Sequence, residues 1–202
     1  MSSYRLGDLI IQELNETIHN EILLENPDSI GSEYIKEYYH KKSGSKHDVI
    51  CKIVLNKMNE IKNTDQYVPD IENSIVVHLR LGDVMCGNLF HEIQKRPIEL
   101  EYYKELKKKY PTTKFYLIGN CFFSKEYMSE NKDESIERSN AYLNDIMNIL
   151  EATHINGSAD FDLCCAVKSK LFVQGRGFYS MLIVLLRNMF SLPSIQNQSH
   201  IW

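Results

Sequence analysis

An apolar run that ends abruptly in charge occupies the middle of the chain. Residues 74–83 read SIVVHLRLGD, and the aliphatic and β-branched residues at the start of this run are typical of a buried strand. His78, Arg80 and Asp83 crowd its carboxyl end, next to Gly82. In open α/β sheets, ligands bind beyond the carboxyl ends of the strands. The segment therefore predicts a strand that carries polar side chains to a binding edge.

From Ser74 onward, short apolar runs alternate with longer amphipathic ones, which indicates βαβ units and a parallel sheet. We predict four strands, over residues 75–80, 114–118, 153–155 and 171–174. We predict four helices, one beginning at Pro97 and three over 137–151, 160–169 and 178–190. The predicted fold class is α/β, with a Rossmann-like parallel sheet of about four strands.

The first part of the chain has helical spacing instead. Apolar stripes predict helices that begin near Asp8, after Ser32 and at Asp48. We therefore divide the chain into a helical N-terminal section, 1–73, and an α/β domain, 74–202.

Composition narrows the function classes. The 202 residues are 43% hydrophobic and 25% charged, which is typical of a globular protein, and the net charge of −4 argues against a general nucleic-acid binder. Five cysteines without a CxxC spacing indicate neither a disulfide framework nor a zinc site. The start of the chain does not resemble a signal peptide, and the apolar tract Met181–Leu186 is too short to span a bilayer. We expect a cytoplasmic protein.

A second candidate site lies where the strand at 171–174 runs into the turn Gly175-Arg176-Gly177 and the helix after it. The free N–H groups and the dipole of a helix start attract anions, and glycines let a phosphate approach the backbone. Arg176 and the Ser180 hydroxyl could add direct contacts. The spacing matches neither a P-loop nor GxGxxG, so a plain strand-to-helix turn explains it equally well.

Three residues have alternative roles: Arg80 in the first segment, and Asp160 and Asp162 upstream of the second. The planar fork of Arg80 suits a diphosphate, because it can pair two anionic oxygens at once, but it could equally pair with Asp83 to fix the strand end. Asp160 and Asp162 form a DxD pattern that invites a metal, yet both stand where a helix start favours acids. Asp162 could also accept both N–H groups that guanine presents. We predict no metal.

Together, the two segments resemble a known family. HLRLGD at 78–83 resembles the H-x-R-x-G-D signature of the α-1,2-, α-1,6- and protein O-fucosyltransferase superfamily, enzymes of GT-B architecture that use GDP-fucose. Residues 162–180 resemble the later motif of that group, an aspartate and apolar helix, an apolar strand, and a small-residue turn with Phe and Ser that opens a helix. The resemblance covers about residues 74–190, the nucleotide-binding half.

The resemblance implies a role for each matching position. Arg80 would be catalytic, binding the β-phosphate and stabilising the charge that develops on departing GDP. His78 would help to hold the nucleotide, Asp162 would meet the guanine, and the turn into the last helix would hold the diphosphate. The implied donor-binding set is His78, Arg80, Asp83, Asp162, Gly175, Arg176, Gly177, Phe178, Tyr179 and Ser180, with no metal and no cofactor.

The resulting hypothesis is a metal-independent inverting glycosyltransferase that transfers fucose from GDP-fucose to a glycan hydroxyl. Its partners would be the nucleotide-sugar donor, the glycan acceptor, and an oligomer or partner subunit that completes the short acceptor side, with no nucleic acid and no membrane span. Another GDP- or UDP-sugar donor and a non-catalytic nucleotide-binding remnant are the alternatives. Asp8 and Asp83 are the candidate general bases, although structural roles suit both better.

Overall fold

A computed structural model of the chain describes residues 54–56, 59, 68–85, 97–123 and 132–196. The helices predicted near Asp8 and after Ser32 lie outside these ranges. Of the helix predicted from Asp48, the described residues 54–56 and 59 are helical, and Val54 is buried in the core. The boundary between the two predicted sections stays a prediction.

The described residues form seven strands: β1 (Ile75–His78), β2 (Leu81–Gly82), β3 (Phe115–Ile118), β4 (Cys121–Phe122), β5 (Thr153–His154), β6 (Leu171–Val173) and β7 (Ser194–Ile195). Their helices are α1 (Leu100–Lys109), α2 (Lys132–Leu150), α3 (Ala159–Lys168) and α4 (Phe178–Met189), with 3-10 turns at Ile71–Asn73 and Asp83–Met85. The main sheet has the order β5-β3-β1-β6-β7, and every pairing in it is parallel. A short parallel pair, β2-β4, extends β1 and β3 beyond their carboxyl ends.

The α/β class and the parallel sheet are confirmed, and all four predicted strands are present. The count of four was too low, because β7 joins the main sheet as a fifth strand. Two-residue strands such as β7, β2 and β4 are too short to show a hydrophobic period.

Two predicted helix starts were wrong. The first helix begins at Leu100 and not at Pro97, and Glu99, in an extended conformation, is its N-cap. The second begins at Lys132, five residues before the predicted start, because its first turns bury Ser135 and Ser139 in place of apolar residues. The hydrophobic period therefore becomes visible only further along the helix.

The sheet lies between two helical layers. Val76, Tyr116 and Phe172, which are register partners, belong to the apolar cluster of α3 and α4. Their neighbours Val77, Leu117 and Val173 belong to the cluster of α1 and α2. Burial on both faces explains the uninterrupted apolar runs in the sequence.

Within the described ranges, no helix combines the length and the apolar character needed to cross a bilayer. The cytoplasmic location stays a prediction.

Candidate functional site

The strand order places both sequence motifs at one point of the sheet. Taken in chain order, the five strands of the main sheet are arranged 3-2-1-4-5, so the chain winds from β1 to one side and from β6 to the other. The topological switch point therefore lies between β1 and β6, which pair directly. Ligands of open α/β sheets bind at the carboxyl side of such a point. His78 and Arg80 reach this edge from β1, and the turn at 175–177 reaches it from β6.

Arg80 makes the bidentate pair that was one of its two predicted roles. Its Nη2 lies 2.9 and 3.0 Å from the two carboxylate oxygens of Asp83, and its Nε lies 3.3 Å from Oδ1. The Asp83 side chain is 4% exposed, whereas that of Arg80 is 32% exposed. Asp83 is therefore turned toward Arg80, and it fixes the Nε and Nη2 side of the guanidinium while part of Arg80 stays accessible.

The glycine turn packs against the other side of this guanidinium. Gly177 caps α4 with φ of +91°, and a methyl group added to it would lie 2.7 Å from Nη1 of Arg80. Since residues with a Cβ rarely adopt this φ, glycine both permits the turn and lets Arg80 approach it. Arg80 and the amino end of α4 are thereby brought together.

His78 lies directly beneath the turn. It is buried, its ring centroid lies 5.4 Å from that of Tyr179, and a methyl group on Gly175 would lie 2.6 Å from its Nδ1. Among the described residues, Nδ1 has no hydrogen-bond partner. Burial and then the charge of Arg80 lower the pKa of His78 to about 3, so the imidazole is neutral at physiological pH.

Ser180 stands in the first turn of α4. Its side chain is fully buried, and in the described part of the chain its Oγ has no hydrogen-bond partner. The hydroxyl lies at the start of α4, where the helix dipole favours an anion. Phe178 begins the same helix.

Asp162 approaches the site from the first turn of α3, whose N-cap is Ser158. The residue is 2% exposed, and its Oδ1 has no hydrogen-bond partner among the described residues. Burial raises the pKa of Asp162 to about 7, against an opposing contribution from hydrogen bonding by the backbone of Gly119 and Gly157. The Tyr179 hydroxyl donates to the carbonyl of Ala159, which ties the starts of α3 and α4 together.

Arg176 behaves differently from the rest of the predicted set. Burial raises the pKa values of Tyr103 and Tyr142, and the charge of Arg176 makes a smaller, opposing contribution to both. These tyrosines belong to α1 and α2, on the opposite face of the sheet from His78. The structure thus brings five residues of the predicted set into contact: His78, Arg80, Gly175, Gly177 and Tyr179. Arg176 also interacts electrostatically with Tyr103 and Tyr142 of the other helical layer.

The DxD pattern and a pair of cysteines lie together in α3. In the described part of the chain, no three His, Cys, Asp or Glu side chains are grouped to hold a metal ion. Cys164 and Cys165 are buried, and burial raises the pKa of the Cys165 thiol to about 12, which suits packing better than nucleophilic attack.

The tight contact at Gly175 gives a first test of this geometry. A methyl group added there would lie 2.1 Å from the carbonyl oxygen of His78, so the backbone of β1 or of the turn must move. We expect Gly175→Ala to lower the free energy of unfolding by about 1–3 kcal/mol. Urea denaturation measures this, and an unchanged midpoint and slope would contradict the described approach of β6 to β1.

His78 and Asp162 are both buried, and their pKa shifts predict opposite effects of pH on the stability of the protein. The pKa of His78 is 6.5 in the unfolded chain and about 3 in the folded protein. Its contribution to the free energy of unfolding is therefore lost as the pH falls through this range. Asp162 titrates at 3.8 when unfolded and near 7 when folded, so its contribution grows as the pH falls toward 3.8. On acidification, wild type should therefore lose stability relative to His78→Gln and gain stability relative to Asp162→Asn. Urea titrations of the three proteins between pH 4 and 7 check both signs, and parallel pH curves would contradict the burial of these groups.

Comparison of the chain with family models, with curated proteins and with solved structures found no match. The fold and the site define the class as an α/β protein with a Rossmann-like parallel sheet and polar groups gathered at its switch point.

Proposed function

We propose that this protein is a metal-independent, inverting glycosyltransferase of the fucosyltransferase type, in which residues 74–202 form a GT-B-type donor domain for GDP-fucose. The observation that carries the proposal is the meeting of Arg80 with the Gly177 turn at the switch point. A partly accessible guanidinium and a helix start then face one ligand position, which suits a diphosphate.

The surrounding polar groups support a nucleotide at this position. The Ser180 hydroxyl adds a hydrogen-bonding group at the start of α4, and neutral His78 offers hydrogen bonding without a second positive charge. Asp162, buried at the start of α3, carries a carboxyl group that in its ionised form can accept both N–H groups of guanine.

In the proposed mechanism, an acceptor hydroxyl attacks the anomeric carbon of the sugar while the bond from that carbon to the β-phosphate oxygen breaks. The electron pair leaves with GDP, and the hydroxyl proton passes to a base that we do not assign. Arg80 and the N–H groups of α4 stabilise the charge that develops on the departing phosphate. Asp83 contributes by holding the fork of Arg80 in place.

A thermal-shift panel of GDP, UDP, ADP and GMP tests the donor class. At about 100 times its Kd, a ligand adds about 2.7 kcal/mol of stability, which a melting curve resolves easily. We expect GDP to stabilise the protein more than UDP and ADP do. Stabilisation by UDP alone would favour the other sugar donors, and indifference to every nucleotide would contradict the proposal.

A further inference from the structure

A pair of serines in α2 holds the loop that carries Arg80. Ser135 and Ser139 are one helical turn apart, and both side chains are buried. The Gly82 N–H donates to Oγ of Ser139 at 2.9 Å, and the hydroxyl of Ser135 donates to the Gly82 carbonyl at 2.5 Å. Both backbone groups of one residue are therefore bound by side chains of a single helix.

The direction of both hydrogen bonds follows from Gly82, because its N–H can only donate and its carbonyl can only accept. The Ser139 hydroxyl donates its proton to the carbonyl of Ser135 at 2.7 Å, which leaves its lone pairs to accept from Gly82. Gly82 has φ of +90°, a conformation that a residue with a Cβ rarely adopts. The two serines therefore select one orientation of the peptide groups on either side of Gly82.

This orientation is passed directly to the candidate site. Gly82 precedes Asp83, and Asp83 fixes the Nε and Nη2 atoms of Arg80. We propose that Ser135 and Ser139 are positioning residues for Arg80, acting through Gly82 and Asp83 without touching the ligand. As far as nucleotide affinity is concerned, this inference rests on the proposed function.

The positioning itself can be measured without a nucleotide. In ¹⁵N-labelled protein, we expect Ser135→Ala and Ser139→Ala to speed hydrogen exchange of the Gly82 amide and of the Arg80 Nε–H by about tenfold or more. The amide of Val77 should be unaffected. Ser169→Ala is the matched control, because it removes a buried serine hydroxyl that donates to the carbonyl of Ala166 or Leu171 and accepts from Arg187, away from Gly82. Unchanged exchange at Arg80 in both α2 variants would overturn the proposal.

Affinity for GDP and GMP adds a readout that general destabilisation does not mimic. If the serines aim Arg80 at the β-phosphate, each α2 variant should lose about tenfold in GDP affinity and much less in GMP affinity. Equal losses for the two nucleotides, or no loss of GDP affinity, would overturn the positioning role. A wild-type protein that binds no GDP but shows the exchange effects would instead contradict the proposed function and leave the positioning of Arg80 supported.

Discussion

Replacing Arg80 with alanine should lower GDP affinity by about 100-fold, because the variant loses charge-assisted hydrogen bonds to the terminal phosphate. The guanidinium of Arg80 lies at the switch point and contacts the turn that follows β6. Isothermal titration with GDP measures the loss. The GDP affinity of Arg80→Lys should lie between those of wild type and Arg80→Ala, since lysine keeps the charge but not the planar fork.

The structural alternative for Arg80 predicts a different result. Arg80→Ala also leaves the carboxylate of Asp83 buried without its partner, which lowers stability on its own. The double variant Arg80→Ala/Asp83→Asn removes that unpaired charge and should regain much of the stability without regaining GDP affinity. Unchanged GDP affinity in folded Arg80→Ala would mean that the pair with Asp83 only fixes the strand end.

The largest effect on stability is expected at Arg187, which is fully buried near the end of α4. Its Nη1 donates to the carbonyls of Ala166, Val167 and Ser169 at the end of α3. Its Nη2 donates to the carbonyl of Pro193, just before β7, at 2.7 Å. Burial lowers the pKa of Arg187 to about 10, so the side chain remains protonated at neutral pH.

Arg187→Met should therefore cost about 3 kcal/mol or more in unfolding free energy, because several buried carbonyls lose their donor together. Urea denaturation measures this. Arg138→Met is the matched control, since Arg138 makes an exposed pair with Glu134 and should contribute little. Equal stabilities of the two variants would contradict the role of Arg187 in joining α3, α4 and β7.

The sequence predicts the strands that consist of uninterrupted apolar runs. The runs around Val76, Tyr116 and Phe172 mark three central strands because these strands are buried on both faces. The same logic placed Arg80 and the Gly175 turn at carboxyl ends of strands. It could not decide between a ligand and Asp83 for Arg80, and the structure shows the pair with Asp83 alongside the contact with Gly177.

Long-range polar contacts leave a much weaker signal in the sequence. Ser135 meets Gly82 across 53 positions, and nothing in either segment marks the other as its partner. The sequence signal for this contact is limited to the helical spacing of Ser135 and Ser139, which are four residues apart. Arg187 likewise reads as the end of an apolar tract, although the fold encloses it among carbonyl groups.

Turnover of GDP-fucose tests the central claim most directly. Wild-type protein and Arg80→Ala would be incubated with GDP-fucose and a chelator, without added acceptor, and the release of GDP and fucose would be followed over time. We expect slow hydrolysis by wild type that persists in the chelator and is lost in Arg80→Ala. Equal GDP release by the two proteins, or none from a wild type that also fails to bind GDP, would contradict it.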